Sequence, residues 1–419
     1  MLQFILDILS TPAILVGLVA MVGLLALKKP TSEVIKGTIK TIMGFLVLGG
    51  GADIVVGALN QFGIMFQEGF GIVGIVPNNE AIVAQALQEY GTQTALIMAF
   101  GMVANIIIAR FTPLKYIFLT GHHTLYMACM IAAILAAGGV EGTALVVIGS
   151  IILGFIMVLS PALVQPTMRK ITGTDEIAFG HFSAAGYWLS AQVGKLVGKG
   201  SKSTEEMNFP KWLLFMRDTS VAISLTMGIL YLIVAVAAGP EFVQSELSGG
   251  QNFIIFALIK AITFAGGVYV ILSGVRLILG EIVPAFKGIA TKIVPNAKPA
   301  LDCPVVFPYA PNAVIIGFLS SFVGGIIGMG ILIAIGAPVI LPGVVPHFFT
   351  GATAGVFGNA TGGRRGAVLG SIANGLLITF LPVLLMPVLG NLGFANTTFS
   401  DADFGIVGIL LGNILRLFN

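Results

Sequence analysis

Apolar stretches of about 17–25 residues, each long enough to cross a bilayer as one helix, recur along the whole chain. Charged residues make up only 9% of the 419 residues, whereas soluble proteins carry roughly 25%. A chain so poor in charge cannot cover a surface that faces water, so lipid has to be the solvent for most of it. The sequence therefore predicts an all-α polytopic membrane protein.

Most of these stretches are regular, and a few are interrupted by glycine, proline or polar residues. The regular stretches lie near residues 5–27, 93–110, 115–137, 141–163, 215–238, 252–275, 312–335, 366–388 and 403–418. The interrupted stretches lie near residues 38–77, 281–294 and 339–361. We interpret the interrupted stretches as broken or re-entrant helices, or as amphipathic helices at the interface. Together the stretches predict about eleven transmembrane helices.

Basic residues orient the chain, because loops on the cytoplasmic side carry an excess of Lys and Arg. Lys28, Lys29 and Lys36 follow the first span, so we expect the N-terminus outside. The region 165–212 should be cytoplasmic; its basic residues include Arg169, Lys170, Lys195, Lys199, Lys202 and Lys211. The acidic loops 239–251 and 388–402 should face outwards. Arg364, Arg365 and Arg416 place the C-terminus in the cytoplasm.

Landmarks repeat in the two halves of the chain. The segments Pro113–His122 and Pro338–His347 have matching spacing, and each leads into an apolar helix that ends in a glycine pair. We therefore predict one membrane-embedded unit with a first repeat at 1–164, a cytoplasmic connection at 165–212 and a second repeat plus a final span at 213–419. An inverted repeat of this kind is a common plan of transporters. A chance match in a chain with 55 glycines is the alternative.

Polar residues inside apolar surroundings are candidate site residues, because they are costly in a membrane. Asn79 and Glu80 follow a proline and can hydrogen-bond a polyol, although a helix start with a capping Asn accounts for the same residues. His122 and His123 are neighbours and cannot face the same side of a helix. We assign His122 to the site, with packing as the alternative. Asp53, after a glycine run, either binds a solute or caps the helix that follows.

Asp302 lies in an apolar stretch that three prolines interrupt, so its backbone is not regular helix. Such a backbone is tolerated at membrane depth only inside protein or beside water. The Asp302 carboxylate can accept hydrogen bonds from hydroxyl groups or act as a general base, and an interfacial loop is the alternative. Thr350 and His347 lie on a stretch of small residues that suits either helix packing or a substrate surface. His181 lies in the central region, where a solvated loop histidine is the alternative.

Several classes of function are excluded or disfavoured. The chain lacks a GxxxxGK[ST] string, so we do not expect it to hydrolyse ATP. The formal net charge is only +3 and suggests no nucleic-acid partner. Histidines with metal-ligand spacing are absent, so neither a metal nor a cofactor is expected. A small polar solute carried across the bilayer remains as the best interpretation.

Five motifs together resemble the ascorbate-specific IIC permease of the phosphoenolpyruvate-dependent phosphotransferase system, in the ascorbate/galactitol superfamily. They are KGTIKTIMGF (36–45), FLTGH (118–122), GVRLILGEIVPAFKGI (274–289), LDC followed by YAPNAV (301–314) and HFFTGATAGVFGNATGG (347–363). The resemblance implies an inverted-repeat homodimer in the inner membrane of a bacterium, with a core that moves in an elevator-like step. It also implies uptake of L-ascorbate and its phosphorylation by a separate IIB protein that carries a phosphocysteine. The chain would then be a permease component and not a catalyst on its own.

The resemblance also assigns residues. It implies that His122 and His181 contact the substrate and that Asp302 assists at the reacting hydroxyl. Asn79 and Glu80 fall where the family has re-entrant substrate contacts. Some ascorbate-specific members have Gln where this chain has Tyr126 and Phe182. We expect Tyr126 to contact the substrate, and the difference leaves a related polyol or sugar acid open.

A different class of transporter also fits these residues. An ion-coupled secondary transporter of a related sugar acid or polyol would have the same architecture, with Asp53, Glu80 or Asp302 binding the coupling ion. Uptake that survives without the phosphotransferase proteins, but collapses with the ion gradient, would distinguish this transporter from the permease.

Overall fold

The computed structural model describes residues 12–207, 215, 218–394 and 397–417. Part of the first predicted span and Lys211 lie outside these residues. The longer helices are α1 (Pro12–Ala26), α2 (Thr31–Phe70), α3 (Asn79–Phe111), α4 (Gly121–Ala137), α5 (Gly142–Thr172), α6 (Ala184–Val197), α7 (Thr219–Ala238), α8 (Phe253–Ile293), α9 (Pro311–Ala334), α10 (Ala352–Leu385) and α11 (Ala402–Arg416). The strands are β1 (Gly74–Pro77), β2 (Tyr116–Phe118), β3 (Ala178–Phe179), β4 (Lys298–Leu301), β5 (Val339–Ile340) and β6 (Thr397–Thr398).

Membrane-spanning helices dominate the fold, which confirms the predicted class. Seven helical stretches in the described part of the chain are long and apolar enough to cross a bilayer, and α4 is a shorter apolar helix. The long stretches correspond to α2, α3, α5, α7, α8, α9 and α10. The other described helices are shorter, and the number of eleven spans stays a prediction.

Of the predicted interruptions, one lies at another position and one is wrong. The stretch 38–77 is interrupted, but only at Gly71 before β1, because α2 is continuous through the glycine run. The stretches 252–275 and 281–294 likewise form the single helix α8, of 41 residues. Glycine lowers helix propensity by only about 1 kcal/mol per residue. Hydrogen bonds along the backbone and packing between α2 and α8 outweigh that cost in an apolar environment.

The third interrupted stretch, 339–361, is irregular as expected. It contains β5, a helical turn at Val344–Pro346, a π-helical turn at His347–Gly351 and the start of α10. Further along, α10 kinks at Gly363, where φ is 56° and ψ is −148°. This backbone conformation is accessible to glycine and strained for other residues.

The six strands form two parallel sheets that connect the two halves of the chain. In one sheet β1 pairs with both β5 and β6, and in the other β4 pairs with both β2 and β3. Each sheet thus takes one strand from one half and two from the other. The duplication that the sequence suggested stays a prediction. The repeat boundaries at 164 and 213 stay a prediction, and the connecting region 165–207 contains β3 and α6, which carry buried residues.

The helices pack in two groups. One group contains α1, α2, α7 and α8, with its most extensive contact between α2 and α8. The other group contains α3–α6 and α9–α11, and in it α10 packs against both α9 and α6. The groups touch chiefly where α3 passes α1, α2 and α8. The short strands lie among the ends of these helices, and their buried residues belong to the apolar core.

Buried polar contacts tie α6 to α11 inside the second group. The Asp403 carboxylate accepts hydrogen bonds from the backbone N–H groups of Ala184 (3.1 Å) and Ala185 (2.9 Å), which are the first residues of α6. It also accepts one from the Ser160 hydroxyl at 3.0 Å. A carboxylate at a helix N-terminus satisfies free N–H groups and complements the helix dipole. Asp403 therefore fixes the start of α6 from another helix.

We predict that Gly363→Ala destabilises the protein. A methyl group there would collide with the carbonyl oxygens of Ser201 and Lys202, and the backbone would be strained. We expect a loss of roughly 1–3 kcal/mol in the free energy of unfolding, measured as a lower thermal midpoint in detergent. The matched control is Gly330→Ala, because Gly330 lies in α9 with open space around it. Equal midpoints for the two variants would contradict the kink as described.

Candidate functional site

Polar residues follow five of the six strands, at or just after the carboxyl end of each. They are Asn79 and Glu80 after β1, Thr120 and His122 after β2, His181 after β3, Asp302 after β4, and Asp401 after β6. Because the strands in each sheet are parallel, their carboxyl ends lie along one edge. The chain leaves regular structure at these points, so side chains from distant segments converge.

These residues line one cavity of about 710 Å³, which lies between the two helix groups. The volume falls within the range of roughly 300–1,000 Å³ typical of small-molecule sites. The structure brings together six of the seven residues that the sequence assigned to substrate: Asn79, Glu80, His122, Tyr126, His181 and Asp302. The cavity lining also contains Thr120, His123, Arg276 and Asp401, which the sequence did not assign.

Asp302 stands between two histidines. Its Oδ2 atom lies 3.5 Å from His122 Nε2, and its Oδ1 atom lies 4.0 Å from His181 Nε2. Oδ1 also accepts a 2.7 Å hydrogen bond from the backbone N–H of Cys303, which fixes the orientation of the carboxylate. The side chain keeps 33% of its surface exposed, so Asp302 remains accessible from the cavity.

Asp401 is a second carboxyl group of the cavity and, unlike Asp302, is buried. Its Oδ1 atom accepts hydrogen bonds from Asn79 Nδ2 (2.9 Å) and Ser400 Oγ (2.8 Å). Asn79 Oδ1 in turn accepts a 2.9 Å hydrogen bond from the backbone N–H of Ser400. This network connects β1 to β6 across more than 300 residues of chain. It holds Asn79 and Glu80 at the cavity, since both begin α3.

Asp401 also lies beside two histidine rings. Asp401 Oδ2 is 3.8 Å from His123 Nε2 and 3.7 Å from His181 Nδ1. His123 Nδ1 accepts a hydrogen bond from the backbone N–H of Phe182, so its proton is on Nε2 and faces the carboxylate. His181 Nδ1 is hydrogen-bonded to the Tyr187 hydroxyl at 2.8 Å. The ligand atoms of His123, His181 and Asp401 are near enough for a metal, but these partners favour hydrogen bonding over ligation.

Three polar atoms of the cavity have no hydrogen-bond partner among the residues that the structure describes. They are Glu80 Oε2, Thr120 Oγ1 and Tyr126 Oη, each of them buried. A buried polar group without a partner costs roughly 1–3 kcal/mol. All three belong to residues that line the same cavity. Their donors and acceptors suit a ligand with several hydroxyl groups.

The structure does not bring every candidate residue to the cavity. Thr350 is fully buried in the π-helical turn, and its hydroxyl accepts a 3.1 Å hydrogen bond from Asn374 Nδ2 of α10. His347 is buried beside the Ser321 hydroxyl at 2.8 Å. Neither residue is part of the cavity lining. Asp53 is exposed on α2, away from the cavity, because α2 does not break at the glycine run.

Asp401 is the main residue that sequence reasoning missed. The segment 388–402 was expected to be an outward-facing loop, but Asp401 is only 3% exposed and β6 pairs with β1. The available signal was the Ser400–Asp401 pair, directly before an apolar helix.

Phe182, a departure from the family pattern, stacks on Phe118 with ring centroids 4.4 Å apart. Its side chain is fully buried and does not line the cavity, whereas that of Tyr126 does.

A charged cluster at the other end of β4 supports Asp302. Asp175 accepts hydrogen bonds from Lys298 Nζ (2.6 Å), Gln165 Nε2 (2.8 Å) and Arg169 Nε (2.9 Å). Lys298 is the first residue of β4. The hydrogen bonds from Lys298 and Gln165 lower the pKa of Asp175 to about 2. The carboxylate therefore stays ionised well below neutral pH, and it holds β4 beside α5.

A cavity lined by histidines, carboxylates and hydroxyl groups, set between two groups of membrane helices, defines a transport protein for a small polar solute. A family model described as the PTS system sugar-specific permease component matches residues 7–403, and the chain belongs to this family. The expected resemblance is thereby confirmed at the level of the family.

The chain is similar to the ascorbate-specific PTS system EIIC component of Mycoplasma pneumoniae. The two are 27% identical over 421 residues, covering 87% of this chain and 63% of that protein. The chain therefore spans 63% of the length of this relative.

We predict that Asn79→Asp destabilises the protein by roughly 1–3 kcal/mol, because it replaces a buried donor with a second carboxylate beside Asp401. The measurement is thermal unfolding at a pH above neutrality. Asn413→Asp is the matched control, since Asn413 is exposed on α11. A midpoint for Asn79→Asp equal to that of the control would show that the Asn79–Asp401 contact does not form.

Proposed function

We propose that this chain takes up L-ascorbate and presents it for phosphorylation by a separate IIB protein that carries a phosphocysteine. One observation is the main support: Glu80, Thr120 and Tyr126 line one cavity together with His122 and Asp302, and each has a buried polar atom without a partner among the described residues. The name of the Mycoplasma relative supports ascorbate as the sugar. The family supports a role in the phosphotransferase system.

Asp302 is suited to the chemical step. In that step a sugar hydroxyl attacks phosphorus, the new O–P bond replaces the S–P bond, and the cysteine leaves as a thiolate. The hydroxyl proton needs an acceptor, and the partly exposed Asp302 carboxylate provides one. His122 lies 3.5 Å from the other oxygen of Asp302 and can orient the carboxylate or the sugar. The phosphoryl donor comes from the IIB partner.

The arrangement of helices supports an elevator-type movement. Most residues that line the cavity come from the group containing α3–α6 and α9–α11, whereas α8 closes the cavity from the other group. A shift of one group against the other would carry the polar residues with the substrate. As part of the same proposal, the N-terminus lies outside, the C-terminus lies in the cytoplasm of a bacterium, and the protein is a homodimer.

A proton-coupled secondary transporter is the second candidate, and one observation favours it. Glu80 and Asp401 are buried acids in the cavity, and acids in such places can carry protons during transport. Uptake into cells that lack the phosphotransferase proteins separates the two candidates. The permease proposal expects no accumulation in those cells, whereas the second candidate expects accumulation that collapses with the proton gradient.

The first test is binding of L-ascorbate to the purified protein, with galactitol as a competitor and with a Tyr126→Phe variant. We expect wild-type protein to bind ascorbate and Tyr126→Phe to lose up to about tenfold in affinity, because one hydrogen bond disappears. Its thermal midpoint should be unchanged or higher, since the free hydroxyl has no protein partner among the described residues.

Tyr231→Phe is the matched control for this test. The Tyr231 hydroxyl donates a 2.6 Å hydrogen bond to the Ala58 carbonyl, away from the cavity. This variant should therefore lose stability and keep its affinity. Preferential binding of galactitol would assign a polyol as the substrate. Unchanged ascorbate affinity in Tyr126→Phe would remove Tyr126 from the site.

The second test concerns Asp302→Asn. The amide oxygen can still accept the hydrogen bond from the Cys303 N–H, so the fold should be preserved. We expect phosphorylation-coupled uptake to fall by a factor on the order of 10²–10⁴, as for the loss of a general base. Asp53→Asn removes an exposed carboxylate on α2 outside the cavity and is the control. Normal coupled uptake by Asp302→Asn would exclude a role for Asp302 in the transfer.

A further inference from the structure

Arg276 enters the cavity from the helix group opposite the histidines. It lies on α8 with Leu272 four residues before it and Gly280 four residues after it, and all three line the cavity. Residues spaced by four lie on one face of a helix, so this face of α8 forms one wall of the cavity. Arg276 is the only Lys or Arg among the described residues of the lining.

The guanidinium of Arg276 is available for a ligand. No hydrogen bond or ion pair joins it to another residue in the described part of the chain. It is near enough to His122 for their charges to interact. Arg276 therefore lies near the part of the cavity that contains His122 and Asp302. An arginine that pairs with no described residue in a membrane-embedded cavity is costly, unless it faces water or an anionic ligand.

The carboxyl groups of the cavity make a positive charge necessary for binding an anion. Glu80, Asp302 and Asp401 give the cavity three carboxyl groups, and each one that is ionised repels an anion. A neutral polyol needs no cation, whereas a sugar acid needs one to offset this repulsion. Charge interactions are several times stronger in a site of low dielectric than in water. Arginine also presents a planar fork of donors, which suits a charge shared by neighbouring oxygens.

We propose that Arg276 binds the negative charge of the substrate and makes the site selective for an anionic sugar over a neutral polyol. This rests on the proposed function, in which the substrate is ascorbate, an acid whose ionised form shares its charge between an enolate oxygen and the conjugated carbonyl oxygen. Arg276 holds the charged edge from the α8 wall. His122, Tyr126 and Asp302 contact the hydroxyl groups from the opposite wall.

The test compares three ligands on wild-type protein, Arg276→Gln and Arg276→Lys. The ligands are L-ascorbate, L-gulonate as a second anion, and L-gulono-1,4-lactone as a neutral molecule of similar size. Arg276→Gln should lose tenfold or more in affinity for the anion that the wild type binds, with less than a twofold change for the lactone. Arg276→Lys keeps a positive charge without the planar fork of donors. Its affinity for the anion should therefore lie between those of the wild type and Arg276→Gln.

Lys292→Gln is the matched control, because it removes the same charge from an exposed position on α8 outside the cavity lining. Its affinities should equal those of the wild type. Thermal unfolding is recorded for each variant, and Arg276→Lys decides the result if Arg276→Gln does not fold. A similar loss for the anions and the lactone would mean that Arg276 only maintains the shape of the cavity.

The remaining outcomes separate this inference from the proposed function. If the wild type binds ascorbate and both Arg276 variants bind it equally well, the role of Arg276 is overturned while the function stands. If the wild type binds gulonate and not ascorbate, the proposed substrate fails, and Arg276 is judged by its effect on gulonate. If the wild type prefers the neutral ligand or binds neither anion, both proposals are overturned.

Discussion

Backbone groups at membrane depth must find hydrogen-bond partners within the protein, and the two small parallel sheets meet this requirement at the places where the helices stop. Each sheet joins one strand from one half of the chain to two from the other, so neither half satisfies its own strands. The cavity depends on this exchange. Its polar side chains sit at or just after strand ends, where the chain turns from extended backbone into the next helix.

The polar residues of the cavity differ in how far the protein satisfies them. Asp401 and Asn79 are held in a closed network, and Asp403 fixes the start of α6 nearby. These contacts give the site its rigidity. Glu80 Oε2 and the Tyr126 hydroxyl lack partners among the described residues, at a cost of roughly 1–3 kcal/mol each. A site that binds and releases a polar solute needs both kinds of group, since fully satisfied side chains have nothing to offer the solute.

Much of the site could be predicted from the sequence. His122, Asp302 and the Asn79–Glu80 pair stand out because polar residues in apolar stretches are costly. His181 was assigned through the family resemblance alone. The prediction failed where a packing residue and a binding residue, or a loop acid and a buried acid, have the same local sequence. Thr350 lies on a stretch of small residues that suits packing as well as binding, and the structure uses it for packing. Asp401 resembles an ordinary loop acid, and only its pairing with β1 shows that it is buried.

The low charge and the long apolar stretches were enough to establish a helical membrane protein, because the cost of burying charge in lipid depends on local composition. The family motifs were also readable, since they are patterns along the chain. Only the tertiary structure decided that α2 and α8 run unbroken, that Asp401 joins the cavity and that Arg276 faces the histidines from another helix. These outcomes depend on pairings between residues that are far apart in sequence. The energies of such pairings are absent from any local window of the chain.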